Sequence, residues 1–304
     1  RGLVGSEMCI RDRSIIHPNT LFHFTSKCST LKLIVKSGLR FSYCFEEMSN
    51  GYGFAVPMIC FCDIPLLRTL NHRHKYGSYM VGFDKKYLKD KMRLNINPVQ
   101  YRSTFFLQMW NEDLYDKYIE TTNSVFSNGV NKFINEHCLE DEINNKGLDF
   151  VFNSNEELSY EKDLLSLTAM LLKHNLVFSK KSESRKDKKI INNYDEREWR
   201  IIPLQYLENS PKWELKIKEE EYVKSRDFFN KSLSGNTNAY VTLKSTDLVN
   251  CINFIIVKKD QQIPSIIRLI RNSKSLFGCE EVTEEQRNLL ISRVTSFETI
   301  ENNY

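Results

Sequence analysis

The chain has 304 residues, of which 41% are hydrophobic and 27% are charged, and its formal net charge at pH 7 is +4. This length is enough for one large domain or two modest domains with a hydrophobic core. The weak positive balance does not indicate nucleic-acid binding, because proteins with that function usually carry a concentrated basic stripe. The longest apolar stretch, LLSLTAMLLKHNLVF, is interrupted by Lys173 and His174 and is too short to span a bilayer.

Residues 1–13 do not read as part of a folded domain. The sequence RGLVGSEMCIRDR has neither a helical nor an alternating period, and it lacks the continuous apolar stretch of a secretory signal. Its LVGSEMCIRD portion resembles the in-frame translation of a transposase adaptor used in short-read sequencing libraries. We therefore expect 1–13 to be an assembly artefact that has displaced the natural start, and we expect one α+β domain over 14–304. Without these residues, three arginines and two acidic residues are lost, and the formal charge is +3.

The cysteines indicate a reducing compartment. Seven of them follow residue 13: Cys28, Cys44, Cys60, Cys62, Cys138, Cys251 and Cys279. An odd number at irregular spacing, without a signal peptide, is more typical of a reduced cytoplasmic protein than of a disulfide scaffold. We expect a soluble, cytoplasmic protein that does not associate with a membrane.

The first segment after the artefact, NTLFHFTSKCSTLKLIVKSGLRFS, predicts a strand, a turn and a helix. Phe22 and Phe24 alternate with more polar side chains, which is the period of a strand. Ser29 or Thr30 could cap the helix that follows, and Gly38 stands where a C-terminal cap is expected.

The rest of the chain predicts an α+β fold. A turn-rich MSNGYG precedes FAVPMICFCDIPL, a buried strand with Pro57 near its start, and GSYMVGF is a further strand. The pattern is helical over about 104–178, whereas 179–189 reads as a basic loop. Strands return in EREWRIIPL, AYVTLK and INFIIVK, and two helices follow near 264–271 and 283–293. Strands at both ends around a helical insertion favour a central mixed or antiparallel sheet over a doubly wound one.

Two places on the predicted strands could carry chemistry. The side chain of His23 points away from the face of Phe22 and Phe24, so it is either a hydrogen-bonded residue at the sheet rim or a site residue. Alternation puts Glu198 and Arg200 on one strand face, with Trp199 and Ile201 on the other. Glu198 and Arg200 could form an ordinary surface ion pair. Alternatively, Glu198 could project into a cleft and stabilise an oxocarbenium-like sugar transition state or orient a ribose hydroxyl.

A zinc site is a third alternative. Cys60 and Cys62 lie on one strand face, and His72 and His74 follow about ten residues later. These are zinc-ligand residue types, but C-x-C and H-x-H are not the usual structural zinc spacings. We therefore expect both cysteines to be small core residues and expect no metal. The sequence also lacks the P-loop, Rossmann, H-E-x-x-H and G-x-S-x-G motifs, which argues against those chemistries.

Four segments resemble the AbiGi family of bacterial abortive-infection proteins, which are described as antitoxins of phage-defence systems. They are, in order, LFHFTSK continued by LKLIVKSGLRFSY, AVPMICFCDIPLLRTLNHRHKYGSYMVGFDKKYL, INPVQY and YDEREWRIIP. Leu67 departs from the family pattern, where a small polar residue is expected after DIPL. The resemblance implies an anti-phage role and a cognate toxin protein as partner. Binding to nucleic acid stays open, although the net charge does not indicate it.

A second similarity is to the opening of ADP-ribosyltransferases, including toxins that modify thymidine in DNA. It consists of a strand ending in His-x-Thr followed by L-x-x-I-x-x-x-G-L. This resemblance implies an ADP-ribosyltransferase-like fold, with Glu198 as the catalytic carboxylate. It also implies NAD contacts from His23, Thr25, Tyr76 and Arg200, and leaves open whether Tyr76 or Tyr79 packs on nicotinamide. The protein is then either a partner-binding antitoxin, an NAD-dependent effector or a metal- or nucleotide-binding sensor.

Overall fold

The computed structural model describes most of the chain outside its first 18 residues and its central segment. The described ranges are 19–49, 52–92, 96–103, 175–203 without 176, 187 and 188, and 217–303, with scattered helical residues between 117 and 136. They form two compact units: the first takes its residues from 1–46, 54–99 and 192–304, and the second from 47–53 and 100–191. The predicted artefact lies outside the described residues, as does most of the predicted helical segment 104–178.

Fifteen strands are found in the described ranges, most of them in the first unit. In chain order they are β1 (Thr20–Thr25), β2 (Leu39–Arg40), β3 (Ser42–Ser49), β4 (Tyr52–Cys62), β5 (Tyr79–Asp84), β6 (Ile96–Pro98), β7 (Gln100–Arg102), β8 (Ser179–Lys181), β9 (Glu183–Lys186), β10 (Lys189–Asn192), β11 (Glu198–Ile201), β12 (Ile217–Lys218), β13 (Tyr240–Val241), β14 (Ile252–Val257) and β15 (Val294–Ser296).

The helices of the first unit pack around its central sheet. In chain order they are α1 (Cys28–Ser37), α2 (Thr69–Tyr76), α3 (Lys85–Met92), α4 (Glu219–Ser234), α5 (Ser245–Cys251), α6 (Ile263–Asn272), α7 (Glu284–Ser292) and α8 (Phe297–Asn303). In the part of the chain that the structure describes, no helix combines the length and the apolar character needed to cross a membrane.

The central sheet of the first unit is mixed. Its main strand order is β15–β14–β5–β1–β4–β11–β6, and β3 and β12 also pair with β4. β1 and β5 are antiparallel along all of β1, from Thr20 opposite Asp84 to Thr25 opposite Tyr79. β14 and β15 are parallel. The α+β class and the mixed sheet predicted from the sequence are therefore confirmed.

Apolar side chains bury both faces of this sheet. On one face, Phe22, Met80 and Ile256 pack with Phe297 and Ile300 of α8. The opposite face is covered by helices that include α1, which contacts β1 and β5 through its buried stripe of leucine, isoleucine and valine. Each fully buried side chain of this size stabilises the fold by roughly 1.5–3 kcal/mol. The two layers of helices fix the strands that carry the candidate site.

The ends of α1 illustrate what the sequence pattern could and could not place. Gly38 ends the helix with φ +86°, and a Cβ there would lie 2.3 Å from the carbonyl oxygen of Val241. The predicted cap at Ser29 or Thr30 is wrong, because the helix begins at Cys28 and both residues lie inside its first turn. Its N-cap is Lys27, whose side chain makes no capping hydrogen bond.

Three further predictions from the sequence are corrected. The described residues of 179–189 are mostly strand rather than loop, since β8 pairs in parallel with β7 and β9 pairs with β10. These ladders are made by backbone groups, so a run of charged side chains does not reveal them. Within AYVTLK only Tyr240–Val241 is a strand, which pairs with β2. Pro57 lies in the middle of β4 rather than near its start.

Candidate functional site

A cavity lies where β1 separates from β4. The two strands are paired at Phe22 and Cys62 only, whereas β1 stays paired with β5 along its whole length. One residue further along β1, the Nδ1 atom of His23 lies 2.9 Å from the carbonyl oxygen of Cys60. The side chain of His23 thus contacts a backbone carbonyl of β4 at the point where β1 and β4 separate. The cavity has a volume of about 340 Å³ and is lined by residues of β1, α1, β3 and β4, together with Arg40 of β2 and Tyr240 of β13.

The environment of His23 keeps its imidazole neutral. A carbonyl oxygen can only accept a hydrogen bond, so Nδ1 carries the proton and donates it to Cys60. Burial lowers the pKa of His23 below its usual value, and the hydrogen bond to Cys60 opposes this only in part. The ring also packs edge-on against Phe61, with 5.8 Å between the ring centroids. His23 therefore presents Nε2 as an acceptor rather than a positive charge.

Two thiols line the same cavity. Cys44 of β3 and Cys60 of β4 are both free, and the Sγ atom of Cys44 donates to the carbonyl oxygen of Ser42 at 3.6 Å. The Cys60 thiol, as a hydrogen-bond donor to a Cys44 thiolate, lowers the pKa of Cys44 despite its burial. The same contact, together with burial, raises the pKa of Cys60 well above its usual value. Cys44 is therefore the more acidic thiol of the pair.

A buried ion network lies on β11 and β3. The Nε atom of Arg200 donates to Oε1 of Glu198 and its Nη2 atom donates to Oε1 of Glu46, both at 2.7 Å. Arg200 is 0% exposed, and Glu198 is also buried. Burial acts to lower the pKa of Arg200, but the charges of Glu198 and Glu46 outweigh it and raise that pKa well above its usual value. One guanidinium thus bridges two carboxylates in a site removed from water.

Strand register places His23 and Glu198 on opposite faces of the sheet. Phe22 pairs with Cys62 on one side of β4, and Cys62 pairs with Glu198 on the other. Directly paired residues present their side chains to the same face, and neighbours along a strand present them to opposite faces. Glu198 therefore shares the face of Phe22, and His23 belongs to the other face. Cys60, which lines the cavity beside His23, pairs with Arg200 and lies on the Glu198 face. The predicted alternation of His23 with Phe22, and of Glu198 with Trp199, is thereby confirmed.

Tyr76 and Thr25 occupy other positions. The ring of Tyr76 packs with Phe24, at 6.1 Å between centroids, on the face of the sheet that carries Glu198. Burial raises the pKa of Tyr76, and the charge of Glu196 and a hydrogen bond to Glu196 act in the same direction. Thr25 stands opposite Tyr79 at the end of the β1–β5 ladder.

The five predicted site residues are thus distributed over three places. Of these five, His23 lines the cavity, Glu198 and Arg200 belong to the ion network, and Tyr76 and Thr25 lie near the end of β1. A cavity of about 340 Å³ is also at the small end of the range for ligand sites, roughly 300–1,000 Å³. The residues that would hold NAD do not line one described cavity. NAD binding and the catalytic role of Glu198 stay predictions.

The cysteines and histidines of the zinc alternative do not converge. Cys62 packs in the apolar cluster around Phe22, and Cys60 meets Cys44. Both ring nitrogens of His72 contact backbone carbonyls, at 3.2 Å each, and His74 is exposed. Within the described ranges, no group of three or more histidine, cysteine, aspartate or glutamate side chains is placed to hold a metal ion.

Sequence reasoning missed several members of these clusters. Glu46 and Cys44 come from β3, which the sequence pattern did not reveal as a strand, and 154 positions separate Glu46 from Arg200. Lys85 pairs with the buried Asp63 at 2.5 Å, and its ammonium lies 4.8 Å from the ring centroid of Trp199. No local signal marks these partners, because each contact joins segments that only the sheet brings together.

The chain is similar to proteins of phage defence. A family model described as "Putative abortive phage resistance protein AbiGi, antitoxin" matches residues 52–257. The "Abortive phage resistance protein AbiGi" of Lactococcus lactis subsp. cremoris is 21% identical over 265 residues, which cover 82% of this chain and 89% of that relative. No solved structure is a significant match. The extent of the family match shows that the chain belongs to the AbiGi family of abortive phage resistance proteins.

Proposed function

We propose that this AbiGi protein is the antitoxin of a toxin–antitoxin pair and that it restrains its toxin by binding rather than by catalysis. The family description supports the antitoxin role. The observation that favours binding over catalysis is the position of Glu198, which is held by Arg200 on the face of the sheet opposite His23.

The ion network restricts what Glu198 can do. A catalytic carboxylate must reach the sugar that it stabilises, and the Oε1 atom of Glu198 instead accepts from a guanidinium that is fully buried. Freeing this carboxylate would break its ion pair with Arg200 in a site removed from water, which is costly. The network therefore suits a structural role within the sheet.

An exposed apolar surface on α4 and β3 suits a protein partner. Val223 and Phe228 of α4 are 70% and 68% exposed, and Phe45 of β3 is 36% exposed. Phe45 stacks on Tyr222, with 6.3 Å between ring centroids, which joins the strand to the helix. We call Phe45, Val223 and Phe228 the β3–α4 patch. Large exposed apolar side chains are enriched at the centres of protein interaction sites.

Co-purification with the protein encoded by the neighbouring gene tests this proposal. Val223→Asp with Phe228→Asp should reduce capture of that protein at least tenfold, because two charges would be buried at the interface. Leu289→Asp is the matched control, since Leu289 is an exposed leucine on α7, outside the patch. Undiminished capture by the patch variant, with toxicity still restrained, would contradict docking through the patch.

The second candidate function is an NAD-dependent ADP-ribosyltransferase-like effector, with Glu198 as its catalytic carboxylate. The neutral imidazole of His23 beside the cavity is the observation that favours it. Nicotinamide release from NAD by the full chain tests it, with His23→Ala and Glu198→Gln as variants and thermal unfolding as the check that each variant is folded. Nicotinamide release that both substitutions abolish would replace the antitoxin proposal with the enzyme. Absence of nicotinamide release from the folded wild type would support the antitoxin proposal.

A further inference from the structure

The near-neutral charge of the whole chain conceals a strong local imbalance. Residues 20–44 contain four lysines and arginines and no aspartate or glutamate. Residues 261–279 contain three lysines and arginines, again without an acidic residue. The entire chain, by contrast, has 43 basic and 39 acidic residues. The first segment includes α1 and the second includes α6.

The fold brings these two segments together. Helices α1 and α6 are in contact, and beside them lies a cavity of about 610 Å³. Four cationic side chains line it: Lys32 and Lys36 from α1, Arg268 from α6, and Lys274 after α6. Lys32 and Lys36 are four residues apart on one helix, so both project from the same side of α1. We call this cavity the α1–α6 groove.

The charges of the groove are not balanced within the described part of the chain. None of its four cations forms an ion pair there, and no acidic residue is part of its lining. Other cations of the first unit do have carboxylate partners, such as Lys85 with Asp63. The positive potentials of the four cations therefore add, and a concave surface focuses the resulting field on an anion.

The remaining lining indicates the kind of anion. Asn272 and Ser273 supply an amide and a hydroxyl group, which are common phosphate contacts. The hydroxyls of Ser265 and Ser275 donate to backbone carbonyl oxygens instead. Among the described lining residues, Leu269 is the only one with a large apolar side chain, and none has an aromatic ring that could stack on a base. An interface for an acidic protein would usually have an apolar core inside its polar rim. Cations, hydroxyls and amides without such a core favour phosphate groups.

We infer that the α1–α6 groove binds the phosphate backbone of nucleic acid without reading the base sequence. Toxin binding at the β3–α4 patch uses other residues, so this binding site is an additional function. Contacts from Lys32, Lys36, Arg268 and Lys274 hold successive phosphates, and the neighbouring hydroxyl and amide groups complete the contacts.

Four phosphate contacts give a specific salt dependence. The logarithm of the binding constant falls with the logarithm of the salt concentration with a slope of about −3.6 for duplex DNA and about −2.8 for a single strand. Between 50 mM and 200 mM salt, these slopes correspond to losses in affinity of roughly 150-fold and roughly 50-fold. The two values allow duplex and single-stranded ligands to be distinguished.

Fluorescence anisotropy with the full chain tests the inference. The probes are labelled 20-nucleotide duplex DNA, single-stranded DNA and single-stranded RNA of mixed sequence, titrated from 50 to 200 mM NaCl. Lys36→Gln with Arg268→Gln should weaken binding at least tenfold at 50 mM NaCl and reduce the steepness of the slope by about 1.8 for duplex or about 1.4 for a single strand. Lys224→Gln with Lys231→Gln is the control, because it removes two exposed lysines from α4 and changes the net charge equally.

A second variant separates binding from folding. Lys274→Gln removes one exposed side chain outside any helix and should reduce the steepness of the slope by about 0.7–0.9, with an unchanged unfolding temperature. No binding of any probe at 50 mM NaCl would overturn the inference, as would equal losses in the groove and control variants. Unchanged nucleic-acid affinity, with capture of the neighbouring gene's protein lost, would also overturn it by identifying the groove as a protein interface.

Discussion

Replacement of Arg200 by methionine should destabilise the protein by about 3–5 kcal/mol. Arg200 is 0% exposed and donates to Glu198 and Glu46 at 2.7 Å each. Methionine fills most of the space but removes the guanidinium from which both carboxylates accept hydrogen bonds. In a protein of this size, about 3–5 kcal/mol corresponds to a fall of roughly 6–20 °C in unfolding temperature. Differential scanning calorimetry at pH 7 measures this change in unfolding temperature directly.

Arg73→Met is the matched control for this prediction. Arg73 pairs with Glu301, but the two side chains are 23% and 39% exposed. Solvent-exposed pairs of this kind contribute about 0–1 kcal/mol, so this variant should unfold within about 4 °C of the wild type. The two substitutions remove the same charge and the same chemical group. The two sites differ in burial and in their carboxylate partners, since Arg73 pairs with Glu301 and Arg200 pairs with both Glu198 and Glu46.

Acid provides the test that could refute the argument. The difference between wild type and Arg200→Met should narrow from pH 7 to pH 5, since a proton on Glu198 or Glu46 removes part of the charge that has lost its partner. Adding Glu198→Gln to Arg200→Met should likewise recover part of the loss. A variant that unfolds within 2 °C of the wild type at pH 7, or a difference that does not respond to acid, would show that the carboxylates do not depend on Arg200.

Three other substitutions test local features of the fold. Gly77→Ala should lower the unfolding temperature by several degrees, because φ is +116° and a Cβ would lie 2.3 Å from a carbonyl oxygen at the end of β1. Lys85→Met should lower the unfolding temperature by roughly 6 °C or more, since it leaves the buried Asp63 without its cation. Cys44 should react with iodoacetamide at lower pH than an ordinary thiol, because the Cys60 thiol lowers the pKa of Cys44. The pH dependence of this alkylation, measured by mass spectrometry, should move to higher pH in Cys60→Ala.

The sequence pattern predicts the strands that are covered by apolar neighbours. β1, β5 and β14 carry dense runs of apolar residues that end at turn or charged residues, so their existence could be predicted. The same period of two correctly places Glu198 and Arg200 on one face of β11. Glu46 could not be predicted as their partner, because the distance between β3 and β11 along the chain exceeds anything that a local period describes.

The sequence pattern does not predict the elements that depend on tertiary packing. The sequence of α2, TLNHRHKY, has little apolar periodicity, and the helix is fixed by Leu70 and Tyr76, which pack on the sheet. The charged strands β8 to β10 depend on backbone pairing, which side-chain composition does not reveal. The separation of β1 from β4, which opens the cavity at His23, is likewise a property of paired strands and not of either segment alone.

The order of strands also determines when the sheet can be completed during synthesis. β5 lies between β1 and β14, but about 170 residues separate the end of β5 from the start of β14. At 5–20 residues per second, a ribosome needs roughly 10–30 s to make that stretch. Until then β5 has one edge without its final neighbour, and an uncovered edge invites pairing with other chains. A ribosome arrested in this interval would release an aggregation-prone fragment instead of a shorter working protein, so the supply of folded molecules should fall as soon as elongation is interrupted.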